Sequence, residues 1–347
     1  MVTSRVFGTM PDGREVKLYH IENKFGEYAE ICDLGVVIHA LCVLDREGNI
    51  GDTVLGCPDV ENMLGKSFKA ATIGRCANRI AYGKCVLDGR ELQLDVTDRG
   101  VNFIHGGSGN WAFRLFDAEV ESATTVAFRY TDNGEGGFGN RCEVCVRMSF
   151  DDEHRLSINY NVTPEGTTVI SPTNHAYFNL DNFRDVRDHE FTLLSHNLAR
   201  LGASKTPEGG LVPVIGTAAD FTKGRTLREC MESDPAFFEK MGRPNYDDFF
   251  VLDREREDNL VAVLYSPRTG RKMNTYTDMQ CAIIYTPVGC TGKHPDKTAK
   301  ILPDYAAICI ETQFVPNAVN VPEFDSPVFR AGEKFVSTTV YEFEVVK

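Results

Sequence analysis

CEVCVRMSFDDEHRLSINYNV, residues 142–162, alternates apolar and polar side chains on both sides of an acidic turn. Val144, Val146, Met148 and Phe150 share one parity; Glu143, Cys145, Arg147 and Ser149 take the other. After Asp151-Asp152-Glu153-His154 the alternation resumes, with Leu156, Ile158, Tyr160 and Val162 against Ser157, Asn159 and Asn161. A period of two is that of a strand with one dry and one wet face, so the stretch reads as a β-hairpin.

The same pattern recurs along the chain. KCVLDGRELQLDV (84–96) sets Asp88-Gly89, a two-residue turn signal, between strand-like runs. LVAVLYSPRTGRKMNTY (260–276) reads as another hairpin and KFVSTTVYEFEVV (334–346) as a final strand. Helical signal is confined to 59–67 and 226–241. Strands keep arriving at similar spacing without a linker, a low-complexity tract or a repeat. The expectation is therefore an all-β fold: a large single-domain antiparallel β-sandwich over residues 1–347 with a few short helices.

Composition narrows the functional classes. The 347 residues carry 37 basic and 50 acidic side chains, a net charge of −13. An acidic surface argues against nucleic acid or an anionic membrane as partner and leaves a neutral small molecule open. No apolar run reaches the length of a membrane span. The opening residues lack a signal-peptide core, and the eleven cysteines are odd in number and scattered, which suits a reducing compartment. A cytoplasmic monomer is expected.

Two apparent motifs dissolve in context. GEGGFG (134–139) matches the dinucleotide-binding pattern, but a strand follows where the phosphate-binding helix should begin. Cys142 and Cys145 have zinc-like spacing with no second ligand pair, so no metal site is expected.

Polar residues interrupt predicted core in four stretches, GRCANRI (74–80), NFIHGG (102–107), SPTNHAYFNL (171–180) and CIETQFVPNAVN (309–320); a fifth, NYDDFF (245–250), sets two aspartates among aromatics. Singly, each has a structural explanation. Arg79 could form a surface ion pair, His105 could cap a turn, His175 could be a satisfied core histidine, and Asp247 could lie in an exposed turn. Glu311 resists such a reading, because a carboxylate inside a strand of core residues needs a partner or a ligand.

Taken together, GRCANRI, IHGG, TNHAYFNL and ETQFVPNAVN, in this order, resemble the aldose 1-epimerases, the galactose mutarotase family, along nearly the whole chain. The resemblance implies a β-sandwich with an open cleft that interconverts the α and β anomers of a free hexose such as galactose or glucose. It places the base on Glu311 and the acid on His175, and substrate contacts on Asn78, Arg79, His105, Tyr177 and Asp247. The chemistry needs no cofactor. A carboxylate takes the proton of the C1 hydroxyl while an acid protonates the ring oxygen, the ring opens, and the aldehyde recloses on its other face. An ionised Glu311 and a histidine titrating near ~6.5 are expected to serve both directions.

The chain also departs from the family. Many members carry a sugar-contacting glutamine just upstream of a Tyr-Thr pair. Aligning TYTDMQCAIIYTP (275–287) through its Tyr-Thr pairs puts Ile283 there, and Gln280 could substitute only through a bulge. Asp248-Phe249 replaces the usual pair after the aspartate, and residues 286–300 form an unusual loop. Other readings are a hexose-6-phosphate epimerase, with Lys293 and Lys297 as phosphate contacts, a glycosidase using Asp247 and Glu311, and a sugar-binding protein without catalysis.

Overall fold

The computed structural model describes residues 1–64, 68–182, 184–254, 257–289, 296–298 and 300–347. The hairpin expected over 142–162 is present: Cys142–Phe150 pairs antiparallel with Arg155–Pro164, Val146 opposite Tyr160 and Met148 opposite Ile158. Val146, Met148, Phe150 and Ile158 are fully buried, each worth about 1.5–3 kcal/mol of hydrophobic stabilisation.

This hairpin lies in an antiparallel sheet, nine-stranded among the described residues. Its order is Asp117–Val120, Thr125–Asp132, Cys142–Phe150, Arg155–Pro164, Phe335–Val345, Arg271–Thr277, Leu260–Tyr265, Glu190–Leu193, Arg225–Thr226. The final strand is thus inserted between two hairpins far from it in sequence. A second sheet runs in chain order from Val2–Thr9 to Ile50–Asp52. A third holds Pro207–Pro213, Asn197–Leu201, Asp247–Val251, Cys281–Tyr285 and Cys309–Gln313. One apolar core joins the three, with Leu18 and Ile21 from the second sheet, Phe128 and Phe150 from the first, and Phe250, Ile284 and Ile310 from the third. The architecture is the expected β-sandwich.

Local expectations fare well. Asp88 and Gly89 take φ of 49° and 75°, the left-handed pair that a tight hairpin turn requires. The two helical stretches yield only short helices, Val60–Met63, Leu227–Ser233 and Pro235–Met241. The second stretch is split because Asp234 leaves helical geometry and Pro235 starts afresh at a first-turn position. GEGGFG forms a loop ahead of Cys142–Phe150, and Cys142 and Cys145, an odd number apart on one strand, point to opposite faces. The ten described cysteines are buried. Among the described residues no helix is long and apolar enough to cross a membrane.

Candidate active site

Backbone hydrogen bonds stitch the polar stretches together. Arg79–Ile80 pairs with Phe103–Ile104, which sets His105 beside Asn78. Thr173–Asn174 pairs with Thr72–Ile73, and the backbone of His175 is fixed at both ends, its N–H donating to Ala71 O and its carbonyl accepting from Ala70 N. Thr173 Oγ1 donates to Thr312 O at 2.9 Å, locking the His175 segment onto the strand that carries Glu311. Asn317, with φ of 63°, accepts from Ala81 N at 3.0 Å and donates to Pro207 O at 2.8 Å, tying NAVN to the Arg79 loop.

The third sheet turns alternate side chains to opposite sides. Phe250, Ala282, Ile284 and Ile310 enter the core, so Asp247, Phe249, Ile283, Tyr285 and Glu311 face the other way. On that face His175 Nε2 lies 3.6 Å from Glu311 Oε1, with His175 6% and Glu311 2% exposed. The His105 and His175 rings are 5.6 Å apart, and Tyr177 stacks on His175 at 5.0 Å with an interplanar angle of 7°. Arg79 donates from Nε to Asp98 at 2.7 Å and holds Nη1 4.0 Å from Asp247, whose side chain remains 32% exposed. A cleft of about 520 Å³, large enough for a small ligand, opens beside Arg79 and Asp247 between Asn102, Lys205 and Phe249. The structure therefore brings Asn78, Arg79, His105, His175, Tyr177, Asp247 and Glu311 to one place.

Burial rearranges the protons. Desolvation, reinforced by the charge of Asp247 and opposed by Arg79, pushes Glu311 up to about 8. Desolvation lowers His175 to about 4. An ionised Glu311 at neutral pH is thus not what the protein alone holds: the carboxyl keeps the pair's proton and the imidazole is neutral, because a low-dielectric site penalises both charged forms. His105 is held well below its usual value by burial and by His175 and Arg79, so it stays neutral. Its Nδ1 accepts from Asn78 N at 3.2 Å, which puts the ring proton on Nε2 and makes it a donor. Burial also raises Asp247, against the pull of Arg79 and Arg243.

These shifts bear on stability. Below about pH 4.5 Glu311 is protonated folded or unfolded; as pH rises toward 8 only the folded state keeps the proton, so its contribution is lost through that range. His175 has the opposite sign, contributing fully above its usual 6.5 and losing it as pH falls to about 4. Above 6.5 the glutamate acts alone. Glu311→Gln is therefore expected to melt at a higher temperature than wild type at about pH 9 and to have no such advantage at about pH 5. Calorimetry across pH checks this, and an unchanged melting temperature at the alkaline end would contradict the buried-carboxyl picture.

A family model described as aldose 1-epimerase matches residues 17–342. The chain belongs to the aldose 1-epimerase family. It is 32% identical to a galactose mutarotase of Rattus norvegicus over 99% of both chains, and 28% identical to an aldose 1-epimerase of Escherichia coli K12 over 96% of both. A crystal structure of an aldose epimerase homologue from C. elegans superposes with a TM-score of 0.85 at 23% identity, covering 95% of this chain and 99% of that one, which attests the shared fold. The protein is thus an isomerase of the aldose 1-epimerase class.

Within this aldose 1-epimerase several departures gain a location. Cys281–Tyr285 pairs on both sides without a register shift, so no bulge rescues Gln280, whose amide instead donates to Asp325 O. Ile283 stands directly opposite Glu311. Asp248 points away from Asp247 and is neutralised by Arg243 at 2.6 Å. Lys297 is buried against Asp52 at 2.5 Å and the carbonyl of His39, so its charge is already compensated. Lys293 lies outside the described residues.

Sequence reasoning missed several supports. Phe68 packs on His105 at 5.2 Å and Tyr285 stands edge-on to both His175 and Tyr177 at 6.2 Å. Asp98 aims Arg79, and Arg75 with Asp132 braces the loop beneath it. Arg75 lies within GRCANRI and Tyr285 within the second Tyr-Thr pair, whereas Phe68, Asp98 and Asp132 carry no local signal, since each acts through a fold contact.

Proposed function

We propose that this enzyme interconverts the anomers of free hexoses such as galactose and glucose, with Glu311 as base and His175 as acid. The observation that carries the reading is the 3.6 Å approach of His175 Nε2 to Glu311 Oε1 in a buried site flanked by cationic and acidic hydroxyl-binding groups. Asn78, Arg79, His105, Tyr177 and Asp247 serve as sugar contacts, His105 as a neutral donor and Asp247 as an acceptor. Residues 1–347 act as one domain and as a monomer.

Between about pH 4 and 8 the pair holds one proton. Sugar hydroxyls donating to Glu311 favour its carboxylate, and a ring oxygen accepting from His175 Nε2 favours the imidazolium, so binding turns the pair into base and acid. Glu311 then takes the C1 hydroxyl proton, His175 protonates the ring oxygen, and the C1–O5 bond opens to the aldehyde. Rotation about C1–C2 exposes the other face, and the two transfers run backwards.

Polarimetry on freshly dissolved α-galactose and α-glucose is the test. Faster approach to anomeric equilibrium is expected, with kcat/KM level between the pair's two titrations and falling above about pH 8 as its last proton leaves. No acceleration with either sugar rejects the free-hexose reading. Compensation of Lys297 by Asp52 weighs against the hexose-6-phosphate alternative.

A further inference from the structure

Glu311 has unlike neighbours on its two flanks. On one, His175 approaches Oε1. On the other, strand register pairs Glu311 directly with Ile283, and Ile283 in turn with Phe249. Directly paired residues carry their side chains on one face with Cβ atoms about 4.5–5.5 Å apart, so the aliphatic chain of Ile283 flanks the Glu311 side chain. Ile283 is 1% exposed and packs with Phe249, Cys281, Val315 and Ala318 in a cluster whose one polar group, the weakly donating Cys281 thiol, makes no hydrogen bond to Glu311 Oε2. Glu311 Oε2 is buried and has no hydrogen-bond partner among the described residues. A buried polar atom left in this state is costly, so something other than the protein's own sheet is expected to satisfy it.

We propose that Ile283 is a positioning residue for the reaction: by placing a side chain without donors at the cross-strand position, it reserves Glu311 Oε2 for the sugar. The anomeric hydroxyl is then the donor that Oε2 meets, and deprotonation is coupled to substrate arrival. The inference rests on the mutarotase reading above. It also accounts for the high proton affinity of Glu311, since a donor at position 283 would favour the carboxylate.

The test puts a donor there. Ile283→Gln offers an amide N–H to Oε2, Ile283→Thr offers a hydroxyl at smaller volume should the glutamine not be accommodated, and Ile283→Leu preserves the apolar character. Two readouts are used on the full chain: the alkaline limb of kcat/KM, and carboxyl ¹³C NMR titration of glutamate-labelled protein without sugar, assigned with Glu311→Gln. The titration and the limb are expected to fall by about 1–2 pH units in the Gln or Thr variant and to stay in place in the Leu variant. An unchanged Glu311 titration in folded Gln and Thr variants overturns the proposal, as does an equal shift in the Leu variant. Should wild type fail to accelerate mutarotation while the titration still falls, the assigned reaction fails and the control of the carboxyl by Ile283 stands.

Discussion

Glu311→Gln is expected to lower kcat for anomer exchange by about 10²–10⁴ while leaving KM within a few-fold. The amide keeps the volume and can hydrogen-bond to a sugar hydroxyl, so binding survives. It cannot accept the C1 proton, and no other group replaces it. Asp247 carries a competing carboxylate, but it sits two strands away and two residues along, beside Arg79, while Glu311 lies 3.6 Å from His175. Single-turnover or polarimetric rates at saturating sugar give the answer. Retention of more than about a tenth of wild-type kcat would remove Glu311 from the base role and turn attention to Asp247.

Removing Arg75 should have the largest effect on stability. Its guanidinium is fully buried, donates to both oxygens of Asp132 at 3.1 and 2.6 Å, reaches Thr168 Oγ1 at 3.0 Å and Asn140 O at 2.6 Å, and lies over the Phe138 ring at 4.9 Å. Asp132 also accepts from Trp111 Nε1 at 2.7 Å and Gly134 N at 2.8 Å. Arg75→Leu leaves the Asp132 carboxylate buried without its counter-charge, a loss of about 3–5 kcal/mol. Urea denaturation should show it, and Arg75→Leu combined with Asp132→Asn should recover part of it, since the stranded charge has gone. A loss below about 1 kcal/mol in the single variant would mean that the pair contributes little. In the folded remainder KM should rise, because the brace supports the turn that presents Asn78 and Arg79.

The departures at Ile283 and Asp248-Phe249 lie on the Cys281–Tyr285 strand and the strand paired with it. Glu311, His175 and the residues that hold Arg79 are all in place. What differs is the apolar row of Ile283 and Phe249 beside Glu311 and the internally neutralised Asp248.

Sequence by itself determined the strands, because the two-residue period between Cys142 and Val162 records which side of each strand meets water, and Asp88-Gly89 records a turn that only left-handed backbone allows. It also singled out Glu311, since a carboxylate within a core-like strand is a local anomaly that any fold must resolve. Tertiary structure alone decided that Phe335–Val345 lies between two distant hairpins, that Thr173 locks His175 onto the Glu311 strand, and that Ile283 faces Glu311 while Gln280 turns aside. It also set the protonation, reversing the expectation of an ionised Glu311. The physical reason is common to all of these. Alternation and turn chemistry are carried by neighbouring residues, whereas strand pairing, desolvation and the approach of one side chain to another depend on segments brought together from across the chain.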